Sequence, residues 1–131
     1  MNKSMVIGNL GSDPQLRYTQ NQTPVATFSV ASTERWKDAD GKKQEHTEWH
    51  RVVAWGKLAE ICGEHLATGS KVFIEGKLRT RKWQDQDGVT HYTTEIHAKE
   101  LEMLRGRQEN YDSPPKSDTT EPPIPDEEVP F

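Results

Sequence analysis

Each of the four tryptophans lies within two residues of a fixed positive charge: Arg35-Trp36-Lys37, Trp49-His50-Arg51, Trp55-Gly56-Lys57 and Arg81-Lys82-Trp83. A flat ring beside a cation suits one chemistry in particular, in which an unpaired nucleobase stacks on the ring while its phosphate meets the charge. The competing use of tryptophan is core filling, because the residue is highly buried on average. A Lys or Arg next in sequence cannot follow the ring inside without becoming an unpaired buried charge. The repeated basic company therefore points to Trp36, Trp49, Trp55 and Trp83 as stacking surface.

Strand geometry is what would position these rings. From Glu45 to Trp55 the residues alternate, so that Trp49, Arg51, Val53 and Trp55 share one face and His50, Val52 and Ala54 the other. From Val72 to Trp83 the same period puts Val72, Ile74 and Leu78 inward and Lys77, Arg79, Arg81 and Trp83 outward. Like charges at alternate positions repel, so this stripe suggests an anionic partner more than a solvated face. Met5 to Leu10, with a continuation at Leu16-Arg17-Tyr18, Val25 to Ser32 and Tyr92 to Leu104 read as further strands. The runs at 38–43 and 84–90 hold Asp-Gly pairs that favour turns with positive φ, and these loops extend the platform. Lys57 to Leu66 changes to helical spacing through Leu58, Ile61, Cys62 and Leu66, with Gly69 where a helix stop is expected. This order predicts an all-β protein built on an OB-fold. It would be a five-stranded barrel with one helix between strands 3 and 4, carrying tryptophans and basic residues on one barrel face.

A chain of 131 residues fits one domain, and its 31% hydrophobic content predicts a thin core or one completed by a second subunit. No run approaches membrane-spanning length or a signal h-region, so the expected location is the cytoplasm, in association with the nucleoid. The net charge of −4 conceals a division: residues 1–108 sum to +2 and residues 109–131 to −6. A mildly basic body with an acidic tail fits a nucleic-acid binder with an interaction tail. Residues 108–125 lack periodicity and apolar content and are expected to be a disordered linker. Cys62 stands alone and reads as a buried small hydrophobe, and the five histidines (46, 50, 65, 91 and 97) show no metal-ligand spacing. There is no Gly-rich phosphate loop. No metal, cofactor or catalytic residue is therefore expected, and the activity reads as binding. A nuclease using Glu48 or Glu75, an RNA-binding relative of the cold-shock type, and a bare adaptor for the tail are the rival readings.

The runs Val6-Ile7-Gly8-Asn9-Leu10-Gly11, Thr47-Glu48-Trp49-His50-Arg51-Val52-Val53, Gly56-Lys57-Leu58-Ala59-Glu60 and Ile74 to Trp83 closely resemble the bacterial single-stranded DNA-binding protein (SSB) family. The resemblance covers residues 1–107, the expected DNA-binding domain, and resumes at Asp126-Glu127-Glu128-Val129-Pro130-Phe131. It implies that residues matching Trp36, Trp49, Trp55 and Trp83 stack bases, and that those matching Arg51, Lys57, Arg79, Arg81 and Lys82 track phosphates. Lys3, Arg35, Lys37, Lys42, Lys43 and Lys77 complete the expected phosphate contacts. It also implies a homotetramer, with His50 near a subunit interface. The tip, residues 126–131, joins an apolar anchor at Val129, Pro130 and Phe131 to the acids Asp126, Glu127 and Glu128. A pocket rimmed by Lys or Arg would capture it, and the resemblance names the partners as replication, recombination and repair proteins.

Overall fold

The computed structural model describes residues 1–104. Its elements are β1 (Ser4–Leu10), β2 (Gln15–Tyr18), β3 (Pro24–Lys37), β4 (Lys43–Trp55), α1 (Lys57–His65), β5 (Lys71–Gln84) and β6 (Thr90–Leu104). The expected linker 108–125, tip 126–131 and last residues of the expected domain 1–107 lie outside the described residues.

Strand order runs β1-β5-β6-β4-β3-β2, and pairing of β1 with β3 through Asn9↔Ala31 and Leu10↔Val30 closes five strands into the OB-fold barrel. The short β2 hydrogen-bonds to β3 as an added edge. The barrel is antiparallel except where β4 meets β6, joined only at Val52↔Ile96 and Val53↔His97. Its interior is filled by alternate residues of each strand: Val6 and Leu10, Phe28 and Val30, Val52, Val72 and Ile74, and Ile96. Helix α1 closes one end with Ala59 and Cys62, followed by Leu66. Burial pushes the Cys62 thiol up to about 11, so it packs as an inert small hydrophobe.

The helix stops earlier than the sequence pattern implies. His65 is its last residue, Leu66 is already extended, and Gly69 (φ 90) serves the following turn instead of capping α1.

Beyond the barrel, two hairpins project as arms. In the first, β3 and β4 stay in register from Val25↔Trp55 out to Lys37↔Lys43; in the second, β5 and β6 run out to Gln84↔Thr90. Leu78 lies on this second arm. Its alternation with Val72 and Ile74 is as expected, but no barrel interior remains there to receive it, and it is 46% exposed.

At the root of that arm the ladder skips Lys99, passing from Glu75↔Glu100 to Gly76↔Ala98. A Cβ on Gly76 would overlap the His97 carbonyl, which is backbone and cannot step aside. Gly76→Ala is therefore expected to lower stability by about 1–3 kcal/mol, read as a fall in the thermal midpoint without a change in the type of spectrum.

Candidate nucleic-acid interface

Register places Trp49, Arg51, Val53 and Trp55 of β4 on the same outer face as Glu95 and His97 of β6 and Lys77, Arg79, Arg81 and Trp83 of β5. The face does not stay open along β4. Trp49 and Arg51 are half-buried, Val53 is fully buried, and Trp55 is 9% exposed and packed against Val25 and Val53. The expectation that all four rings stand at the surface is thus corrected at Trp55. Its ring stacks on His97 with centroids 6.4 Å apart, and its Nε1 donates to His97 Nδ1 at 3.2 Å.

Because Nδ1 accepts, the His97 proton sits on Nε2, which faces Glu95 Oε1 at 3.5 Å. Glu95 is the centre of the cluster and its side chain is fully buried. Arg51 Nε donates to Oε2 at 2.9 Å and Arg81 Nε to Oε1 at 3.1 Å, so one carboxylate ties β4 to β5 through β6. Burial pushes this carboxyl up. The His97 hydrogen bond, the Arg81 charge and the hydrogen bonds from both guanidinium groups outweigh it, and the net shift is below the ordinary glutamate value. Arg51 and Arg81 are accordingly held in place through Nε.

Trp49 rests against Gly11, where an added Cβ would overlap the far edge of the indole. Gly11→Ala should push that ring off its seat. A changed Trp49 environment in a fluorescence or NMR spectrum, with weaker single-strand binding and an intact fold, is the expected outcome.

Trp36 is 49% exposed, but it lies on the other side of the β3–β4 ladder, the side of Ser32 and His50. The rings therefore do not share one platform face. Around Trp36 a shallow hollow is lined by Arg35, Lys37, Lys43, Gln44 and Glu45. His50, on the side away from Trp49, is half-buried with Nε2 hydrogen-bonded to Ser32 Oγ at 2.8 Å, and burial holds its pKa below the usual value.

Of the expected phosphate contacts, Lys37, Lys42, Lys43, Lys57, Arg79 and Lys82 are exposed, and Lys77 is half-buried. Lys3 is paired with Glu75 and Arg35 with Glu45, as Arg51 and Arg81 are with Glu95, so four of the expected charges already face a carboxylate. Among the described residues, no group of three His, Cys, Asp or Glu side chains is placed to hold a metal, and no helix is long and apolar enough to cross a membrane.

The two arms end in the same construction. Trp36-Lys37-Asp38-Ala39-Asp40-Gly41 and Trp83-Gln84-Asp85-Gln86-Asp87-Gly88 match at Trp, both Asp and Gly. In each loop the first Asp carboxylate accepts backbone N–H groups two and four residues on: Asp40 and Lys42 for Asp38, Asp87 and Val89 for Asp85. These bonds hold both Asp38 and Asp85 below the usual carboxylate range, the Lys42 amide leading for Asp38 and the His91 side chain for Asp85. The repeat was present in the sequence as a shared Trp-x-Asp-x-Asp-Gly spacing. Glu95, by contrast, carried no sequence signal, because its importance comes from three strands meeting.

Comparison with known proteins agrees with this architecture. The model of the family described as "Single-strand binding protein family" matches residues 1–104. The chain is 57% identical over 111 residues to "Single-stranded DNA-binding protein 1" of Xylella fastidiosa (strain 9a5c), covering 84% of this chain and 82% of that one. Among solved structures, the Plasmodium falciparum SSB in complex with single-stranded DNA superposes with a TM-score of 0.73 at 33% identity, over 80% of this chain and 96% of that one. A deletion mutant of the single-stranded DNA-binding protein from Thermus aquaticus gives 0.71 at 29% identity, over 82% of this chain and about half (52%) of that longer chain.

Proposed function

The chain belongs to the single-strand binding protein family, and from that premise we propose that it binds single-stranded DNA with little sequence preference. Unpaired bases stack on Trp36, Trp49 and Trp83, and the lysines and arginines around them neutralise phosphates. The observation that carries this reading is the pair of arms, each presenting a partly exposed tryptophan beside exposed cations. Every base offers a π face, so stacking reads structure and not sequence. Phosphate contacts release counterions, so affinity falls as salt rises. Duplex competes poorly because its bases already stack on one another. The activity is binding without a chemical step.

The supporting experiment is a titration of intrinsic fluorescence with poly-dT beside duplex of equal length. Quenching by the single strand alone is the expected result, and emission unchanged at saturating poly-dT removes the proposal.

In the same reading the protein protects single strands during replication, recombination and repair in the cytoplasm, associated with the nucleoid. Asp126, Glu127, Glu128, Val129, Pro130 and Phe131 recruit partner proteins; deleting residues 126–131 should abolish recruitment while leaving the barrel folded. Self-assembly, as a homotetramer, is supported by the outer side of β1, where Met5 and Ile7 are 64% and 55% exposed beside the half-buried Phe73. Along the same strand β3 meets the second edge of β1 only at Asn9 and Leu10. Light scattering reads the mass directly, and a monomer at working concentration removes the assembly.

A further inference from the structure

We propose that His91 is a positioning residue for base stacking: tied to Asp85, it closes one face of Trp83, so that a nucleobase lands only on the other. The inference rests on the stacking reading above. The two arms repeat not only their loops but the residue directly across the ladder from each tryptophan, Gln44 opposite Trp36 and His91 opposite Trp83. Both of these residues reach back to the loop carboxylate, Gln44 Nε2 to Asp38 Oδ2 at 3.1 Å and His91 Nε2 to Asp85 Oδ2 at 2.8 Å. The carboxylate accepts in each case.

The difference is the ring. His91 lies over Trp83 with centroids 4.5 Å apart and planes 20° from parallel, whereas no ring contact involves Trp36 among the described residues. Trp83 is further held at its pyrrole edge, where Nε1 donates to Thr93 Oγ1 at 2.7 Å. An indole fixed on one face and one edge surrenders less freedom when a base arrives, which raises affinity by preorganisation and not by a new contact to DNA. The first arm offers an unbacked ring and the second a backed one, built on a single plan.

The decisive variant is His91→Gln, which gives the second arm the composition of the first: the tie to Asp85 survives and the ring is lost. Oligo-dT affinity is expected to fall about three- to tenfold, the range of a lost aromatic pair, and acrylamide quenching of the tryptophan emission is expected to rise. Both effects should vanish when the same change is made in a Trp83→Ala background, because His91 acts through that ring. An affinity loss that persists without Trp83 would show His91 touching DNA itself and overturn the inference. Unchanged affinity of His91→Gln, alongside a clear loss in Trp83→Ala, would overturn it while leaving the stacking reading in place. Wild-type affinity in Trp83→Ala would remove the stacking role of Trp83 and the inference together.

Discussion

Replacing Glu95 by alanine is expected to lower stability by about 3 kcal/mol, because it removes the fully buried carboxylate shared by two half-buried guanidinium groups. The carboxylate is the shared acceptor for Arg51 and Arg81 and the neighbour of His97 Nε2, with its own side chain fully buried. A domain of this size has only about 5–15 kcal/mol in hand, so the loss should be plain in a urea or thermal melt. The guanidinium groups would also lose their fixed positions, and single-strand affinity should drop with them. The pH dependence has a definite sign. The folded carboxyl sits below its ordinary value, so its contribution is complete above the unfolded glutamate pKa of about 4.3 and is lost as pH falls through the lower, folded value. Glu95→Gln should flatten that acid limb. A melt of Glu95→Ala equal to wild type would show that the cluster contributes nothing to the fold.

Truncation of the tryptophans is expected to divide them into two classes. Trp36→Ala combined with Trp83→Ala removes two of the proposed stacking rings, each expected to contribute about 1–3 kcal/mol per base. Affinity for poly-dT should therefore fall by roughly thirtyfold or more, with the thermal midpoint nearly unchanged. Trp55→Ala should do the reverse, costing about 3–5 kcal/mol of stability as a large buried ring is deleted. A Trp55→Ala protein that melts like wild type but fails to bind would return that ring to the surface.

Much of the barrel was readable because β-strand period is local: β4 and β5 fall where the residues alternate, and β1, β3 and β6 contain the other runs expected as strands. The tryptophan at 55 shows where this reading stops. Trp55 ends β4 and the exposed Lys57 opens α1, so the charge beside the ring in sequence could not report whether another element covers it; the cover comes from Val25 and His97, distant in sequence. Leu78 shows the same limit in reverse, since parity gives its side of the strand but not where the barrel ends. The Glu95 cluster was hidden for a third reason: a lone acid in Thr93-Thr94-Glu95-Ile96-His97 becomes central only once β4 and β5 flank it.

The placement of Trp36 on the reverse side of its ladder from Trp49 sets a rule for any polymer that visits both. A ribbon has no passage through its middle, so the visitor has to curl round the hairpin's rim, and a stretch too short to make that detour can touch one ring or the other but not the pair. Affinity should accordingly climb in steps with oligomer length instead of smoothly, the first step marking the contour needed to turn the corner.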